Sequence, residues 1–306
     1  MSKHESAKRK YPDLHGIILL NKPKGISSNL ALQKLRHLVK AKKAGHTGNL
    51  DPMATGLLPC CFGDATKVAD LLINSDKTYR ARCVFGSQTD TGDATGTVVA
   101  TCEKTSFLDE EIKQACEKLS GDIEQVPPMY SALHHKGQRL YDLARKGITV
   151  DRPSRPVTIH QFKLLDNTTE YVDFEIKVSK GTYIRTLLED LAIELGTVAH
   201  MSALHRIQTG IFNADNMYTL EQLSSRELLG DVLMPLECAL IEYPAIQLDE
   251  STTQQMIHGK KIAYDTEHGV YRLYDWQHKF LGLGEVAHSQ LKVKKLFFKS
   301  YTESKS

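Results

Sequence analysis

The sequence is poor in the features that mark a membrane, secreted or metal-bound protein. One tryptophan occurs in 306 residues, and no apolar run approaches the length needed to span a bilayer. Met1 to Lys10 is too polar for a secretory signal, so the cytoplasm is the expected compartment. The six cysteines (Cys60, Cys61, Cys83, Cys102, Cys116 and Cys238) show no Cys-x-x-Cys spacing and no accompanying histidine pattern. Zinc sites and disulfide frameworks therefore lack support, and reduced thiols with no metal are expected. Internal repeats and low-complexity tracts are also missing. With 41% apolar and 25% charged residues, the composition is that of an ordinary globular chain long enough for one sizeable domain and a smaller one.

Net charge is small but unevenly placed. Residues 1–43 hold eleven Lys/Arg against two Asp/Glu, so this segment carries +9 and the remainder −7. Residues 1–12 read as a flexible basic terminus. Lys22, Lys24, Lys34, Arg36, Lys40, Lys42 and Lys43 instead flank folded-looking segments. A second basic group comprises Lys136, Arg139, Arg145, Lys146, Arg152 and Arg155. Two such patches suit a polyanion held by its phosphates.

Residues 16–20 read as a short buried strand, followed by a helix capped at Ser27 or Ser28 and running to about Lys40, with Leu32, Leu35, Leu38 and Val39 inward. Tyr79, Ala81, Cys83 and Phe85 alternate as in a half-buried strand. A helix is expected from Ser106, with Leu108, Ile112, Ala115, Cys116 and Leu119 inward and Gly121 at its end. Val172, Phe174, Ile176 and Val178 alternate with charged residues and form the clearest strand. After Gly181 a helix carries Ile184, Leu187, Leu188, Leu191 and Leu195 inward, stopped by Gly196. Arg185 lies in its first turn, where the helix dipole favours anions, so another partner, a buried carboxylate, is expected to stabilise it. The interspersed pattern predicts an α+β fold with a mixed, mostly antiparallel sheet and flanking helices. From residue 243 the texture changes to short strands at 245–248, 270–274, 280–286 and 291–298, which predicts a small C-terminal β-barrel over residues 243–306 after a main domain over 13–242.

Residues 45–59 hold three glycines and two prolines around Asp51. Glycine opens dihedrals closed to other residues and proline fixes its own, so a shaped loop is expected rather than a helix or ordinary strand. Pro52 disfavours the helical region for Asp51, and Gly48 and Gly56 are expected to leave room for a planar ligand. An isolated Asp-Pro most often brackets a turn. Here the whole stretch, Gly-His-Thr-Gly-x-Leu-Asp-Pro-x-Ala-x-Gly-x-Leu-Pro, resembles the active-site motif of the TruB family of tRNA pseudouridine synthases. Further blocks are similar to that family in the same order: residues 16–28 with Lys22-Pro23-Lys24-Gly25, Lys77 to Ala81, Thr89 to Asp93, Gln125 to Ala132 and Lys180 to Leu187. Two departures stand out. Asn49 replaces a small residue, and His205 interrupts a Leu-Arg-Arg pattern at Leu204-His205-Arg206, where it would alter a backbone contact to RNA; neither is expected to touch the nucleophile.

The resemblance implies a pseudouridine synthase fold with a PUA-like C-terminal domain and a catalytic role for Asp51, Tyr79 and Arg185. Converting uridine to pseudouridine breaks the N1–C1′ bond, turns the uracil and rejoins it through C5. Nothing is oxidised or hydrolysed, so no cofactor is demanded. A carboxylate nucleophile can attack C1′ or C6, and both remain open. Burial alone would raise the Asp51 pKa, so a cation must keep it charged, a role that resemblance gives to Arg185. It places the Tyr79 ring against a flipped-out uracil and its phenol near the proton leaving C5, while His46, Tyr183 and Leu204 contact flipped nucleotides. Taken alone, Tyr79, Tyr183 and Leu204 read as core packing and His46 as a turn residue. The implied substrate is uridine 55 in the T-loop of tRNA, recognised by shape and backbone. The chain lacks the long extensions of guide-RNA-dependent relatives, so a stand-alone, monomeric enzyme without an obligate protein partner is expected. The competing readings are a synthase for another RNA and a module that binds and opens the tRNA elbow.

Overall fold

A computed structural model describes residues 14–224 and 229–297, apart from the side chains of residues 229 and 230. The expected flexible terminus, residues 1–12, and Phe298 lie outside these residues. The main sheet runs Gly16–Lys22, Thr55–Phe62, Ala199–Thr209, Lys77–Phe85, Val172–Val178, Arg155–Asn167 and Gly121–Gln125. Ala44–His46 adds to Thr55–Phe62, and Phe212–Asn213 to Ala199–Thr209. Every join is antiparallel except that between Thr55–Phe62 and Ala199–Thr209, where His205 lies beside Thr55 and Arg206 beside Gly56. The sheet is thus mixed and mostly antiparallel, as the residue pattern predicts.

The amphipathic patterns account for most elements. Ser27 caps the helix Ser28–Leu38 by accepting from the Leu30 N–H, and Leu32 and Leu35 are buried beneath it. Val172, Phe174, Ile176 and Val178 all point into the core. The helix Ile184–Glu194 buries Ile184, Leu187, Leu188 and Leu191 against the same core. Gly196 follows it at φ +71°, a conformation open to glycine at little cost. Two boundaries differ from expectation. The helix expected from Ser106 begins at Asp109, and Leu108 at its head is 73% exposed. Glu111 accepts from the Leu108 N–H at 2.8 Å, which satisfies the first turn without Ser106. Phe107 fills the core position instead, and Gly121 opens the edge strand Gly121–Gln125.

The stretch 45–59 is not all loop. His46 ends one strand and Thr55 begins another, leaving residues 47–54 as the loop. Pro59 is tolerated because its carbonyl accepts from the Thr47 N–H at 3.2 Å, just past the end of Ala44–His46. The missing N–H therefore faces a place where the ladder is ending. Gly56, at φ +100°, does not make room for a ligand: a Cβ there would lie 2.4 Å from the Arg206 carbonyl oxygen. Its bareness lets the parallel strand approach.

The C-terminal sheet runs Ala245–Gln247, Gly269–Tyr274, Phe280–Ala287, Gln290–Leu296 and Ile262–Ala263. The helix Glu250–Ile257 and the strand Ile262–Ala263 were not expected from the sequence. Asp249 caps that helix by accepting from the Thr252 N–H at 2.7 Å. The sheet shares a core with the main domain, where Phe280, Leu283 and Phe297 meet Val68, Leu72, Phe212, Leu236 and Leu240.

Candidate active site

A cavity of about 500 Å³ opens beside the parallel join of the main sheet, and His46, Asp51, Tyr79, Tyr183, Arg185 and Leu204 all line it. Six positions spread over 159 residues of sequence thus come together. The loop carrying Asp51 is held from several sides. The Gly25 N–H donates to the Pro52 carbonyl at 2.7 Å, and the Ala54 N–H to the Asp51 carbonyl at 3.0 Å. The buried Ser28 hydroxyl accepts from the Leu50 N–H at 2.7 Å and donates to the Leu50 carbonyl at 3.1 Å. Beneath the loop lies Arg206, only 1% exposed, whose Nε donates to the Leu57 carbonyl at 2.7 Å. Its two terminal nitrogens reach the carbonyls of Asn49 and Gly48, each at 3.5 Å.

Asp51 Oδ2 lies 3.0 Å from Arg185 Nη2; 37% of the Asp51 side chain is open, against 4% for Arg185. The carboxylate can be reached while the guanidinium is sealed behind it. Arg185 is held by more than this pair. Nη1 donates to the Thr91 carbonyl and Nη2 to the Tyr130 carbonyl, both at 2.7 Å, and Asp93 Oδ2 stands 3.9 Å from Nη1. The partner expected for a cation in the first turn of this helix is therefore a set of two carboxylates and two carbonyls. Protein crowding raises the Asp51 pKa above its ordinary 3.8; Arg185 pulls it down, Asp93 pushes it up, and Lys22 pulls it down again. The upward push prevails.

The other expected residues take distinct places. Tyr79 sits on Lys77–Phe85 among Leu50, Met53, Met201 and Leu204, so it belongs both to the core and to the cavity wall. His46 ends its strand with Nδ1 buried and without a hydrogen-bond partner among the described residues. Burial, and then the charge of Arg206, lower its pKa. Tyr183 immediately precedes the helix Ile184–Glu194, and the Arg155 guanidinium lies 5.0 Å from its ring centre. Leu204 projects from Ala199–Thr209 into the same wall.

Lys22 departs from its expected place in a phosphate-holding patch. It is fully buried, with Nζ donating to the carbonyls of Pro23 at 2.8 Å and Ile26 at 2.7 Å, and burial pushes its pKa down to about 8. It braces the turn beneath the loop. Asn49 lines the cavity, whereas His205 faces away, its Nδ1 2.8 Å from the Thr55 hydroxyl. Sequence reasoning did not single out Asp93, Arg206 or Gln125 as site residues. All three sit in recognised blocks, but their partners are remote in the chain. Among the described residues no His/Cys/Asp/Glu cluster could hold a metal ion, the cysteines are free thiols, and no helix is long and apolar enough to cross a membrane.

Comparison with known proteins adds to this geometry. The model of the TruB family pseudouridylate synthase N-terminal domain matches residues 36–184. The tRNA pseudouridylate synthase B C-terminal domain matches 185–241, and the pseudouridine synthase II TruB C-terminal domain 244–297. The chain is 46% identical to tRNA pseudouridine synthase B of Hydrogenovibrio crunogenus, over 95% of this chain and 96% of that one. To the protein of the same name in Nitrosococcus oceani it is 45% identical, over 90% and 91%. A solved Cbf5-Nop10-Gar1 complex contains a chain of similar fold, with TM-score 0.71 and 24% identity over 92% of this chain and 85% of that one.

Proposed function

The chain belongs to the TruB family of tRNA pseudouridine synthases, and from that premise we propose that Asp51 is the nucleophile with which it isomerises uridine 55 of tRNA. The chain is a tRNA pseudouridine synthase. The observation that carries the site assignment is the Asp51–Arg185 pair, 3.0 Å apart, with its carboxylate open to the cavity and its guanidinium buried. A uracil turned out of its stack enters between Asp51 and the Tyr79 wall. The carboxylate parks one fragment covalently while the N1–C1′ bond opens. The base turns, C5 bonds to C1′, the bond to the carboxylate breaks and frees it, and the proton leaving C5 is matched by one gained at N1. Arg185 orients the carboxylate and offsets the rise in its pKa caused by burial.

Tyr79 stacks on the base, an interaction worth about 1–3 kcal/mol, which helps offset an extrusion cost of a few kcal/mol. Its phenol takes or relays the C5 proton. His46, Tyr183 and Leu204 shape the rest of the pocket. Exposed Lys136, Arg139, Arg145 and Lys146 supply phosphate contacts on one side of the substrate. The main domain over 13–242 does the chemistry, and the PUA-like unit from 243 onward grips the tRNA. The enzyme works in the cytoplasm as a monomer, without guide RNA.

The test is to incubate the protein with an unmodified tRNA transcript and map pseudouridine by base-specific chemistry. Product at position 55 is expected. Product at another position would assign a different RNA site, and tight binding without product would leave only a tRNA-folding role.

A further inference from the structure

Gln125 is almost completely enclosed, at 1% exposure, at the end of the edge strand Gly121–Gln125. A neutral amide buried so deeply requires partners for both its ends, because an unmet buried polar group costs about 1–3 kcal/mol. Both partners belong to one residue. The Tyr183 N–H donates to Gln125 Oε1 at 2.8 Å, and Gln125 Nε2 donates to the Tyr183 carbonyl at 3.1 Å. One side chain thus grips one peptide residue from both sides and fixes it in extended conformation, with φ −100° and ψ 113°. Tyr183 offers no side-chain cap to the helix it precedes, so Gln125 sets where that helix begins.

The gripped residue stands two positions before Arg185, and its ring lines the cavity. The segment that carries Gln125 also reaches Arg185 itself, since the Tyr130 carbonyl accepts from Nη2 at 2.7 Å. Residues 125–130 therefore hold the start of the helix at two points, one through a side chain and one through a carbonyl. Movement of Tyr183 along this grip would carry the Arg185 guanidinium away from Asp51 and shift the ring in the wall together. Ser28 treats Leu50, the residue before Asp51, in the same way. Each member of the ion pair thus follows closely on a residue whose N–H and carbonyl are both held by one buried side chain.

We propose that Gln125 is a positioning residue for the isomerisation: its two-point grip on Tyr183 sets the register of Arg185 against Asp51. The inference rests on the assignment of the Asp51 cavity as the reacting site. Gln125→Leu preserves bulk but removes both bonds. Displacement on the order of 1 Å can cost about a hundredfold in rate. The single-turnover rate at saturating enzyme is therefore expected to fall by about 10–100-fold, with tRNA affinity, carried by the wider RNA surface, unchanged.

Gln125→Glu supplies a readout that a simple packing role would not produce. A protonated carboxyl has one donor and one acceptor and can remake both bonds. An ionised one can only accept, and sets its charge against the Tyr183 carbonyl. Burial favours the protonated form. The rate of Gln125→Glu, divided by that of the wild type at each pH, is therefore expected to rise as pH falls. Taking the ratio removes the loss that both enzymes share as Asp51 protonates. A folded Gln125→Leu protein with the wild-type rate, or one that loses only melting temperature or affinity, would overturn the proposal. So would a Gln125→Glu ratio that stays flat with pH, which remains measurable if Gln125→Leu does not fold. Wild type forming no pseudouridine would count against the functional reading. Wild type and Gln125→Leu being equally active would count against Gln125 alone.

Discussion

Around the Asp51 cavity the protein buries Lys22, Asp93, Gln125, Arg185 and Arg206, whereas in the C-terminal unit after residue 243 the only buried polar side chains among the described residues are Thr253 and Asp275. The charges of the C-terminal sheet stay outside, as with Lys292 and Lys294 paired to Glu285. Its interior is apolar, built on Ile246, Met256, Leu273, Leu281, Val286 and Leu291. A second apolar face, with Phe280, Leu283 and Phe297, is fused to the main domain. One region therefore buries polar and charged groups at a cost in stability, and the other gains stability from packing. Substitutions in the cavity should act on the rate of the bound step, and those at the shared core on folding.

The largest effect after loss of the nucleophile is expected for Tyr79→Phe. The ring and its packing survive, so folding and base capture should persist, while losing general-base help slows the chemical step by about 10²–10⁴-fold. A single-turnover rate equal to that of the wild type would leave Tyr79 as a stacking platform only. Arg185→Lys comes next, with a loss of about 10²-fold. An ammonium keeps the charge but lacks the planar fork that reaches Asp51, Thr91 and Tyr130 together. Near-normal catalysis in that variant would remove Arg185 from the machinery.

Phe280→Ala sharpens the contrast from the other side. It should cost about 3–5 kcal/mol of stability while leaving the single-turnover rate of the folded fraction unchanged. Denaturant unfolding and rate measurements on one preparation read both. A rate loss without a stability loss would show that the C-terminal unit helps build the cavity. Deleting everything from residue 245 is a blunter test, because it also uncovers Val68, Leu72 and Leu240.

The smallest effect concerns the bracing lysine. Burial pushes the Lys22 pKa down from 10.5 to about 8. At Lys22 the folded chain therefore binds fewer protons than the unfolded one between those values, and the Lys22 contribution to stability should rise with pH across that window. Below about 8 this contribution is lost, because Lys22 is charged in both states. Lys22→Met should make the slope of stability against pH less positive than in the wild type between those values, measured by unfolding at a series of pH values, and an unaltered slope would contradict the burial argument.

What was legible in the sequence follows the same division. Strands and helices with a clean apolar period, such as Val172–Val178 and Ile184–Glu194, were readable because one face meets the core and the other meets water. Thr55–Phe62 was hidden by Gly56 and Pro59, whose breaker chemistry is absorbed by a close parallel neighbour and by a ladder that is ending. The helix Glu250–Ile257 is short and polar, with only Thr253 and Met256 buried, so its period is faint. The motif blocks pointed to Asp51 and Arg185, and the dipole argument demanded a partner for Arg185. Arg206 and Gln125 were not legible as site residues, because their roles are hydrogen bonds to the backbones of residues 48, 49, 57 and 183. Local spacing carries no trace of such partners.

The most direct test of the central claim is the single-turnover yield of pseudouridine from an unmodified tRNA transcript with saturating Asp51→Asn protein, alongside its tRNA affinity. The amide keeps the size and shape of the carboxylate but cannot act as the nucleophile. The expected result is no pseudouridine at any position, with tRNA binding largely retained. Product accumulating in a preparation verified free of deamidation would contradict the assignment of Asp51 as the nucleophile.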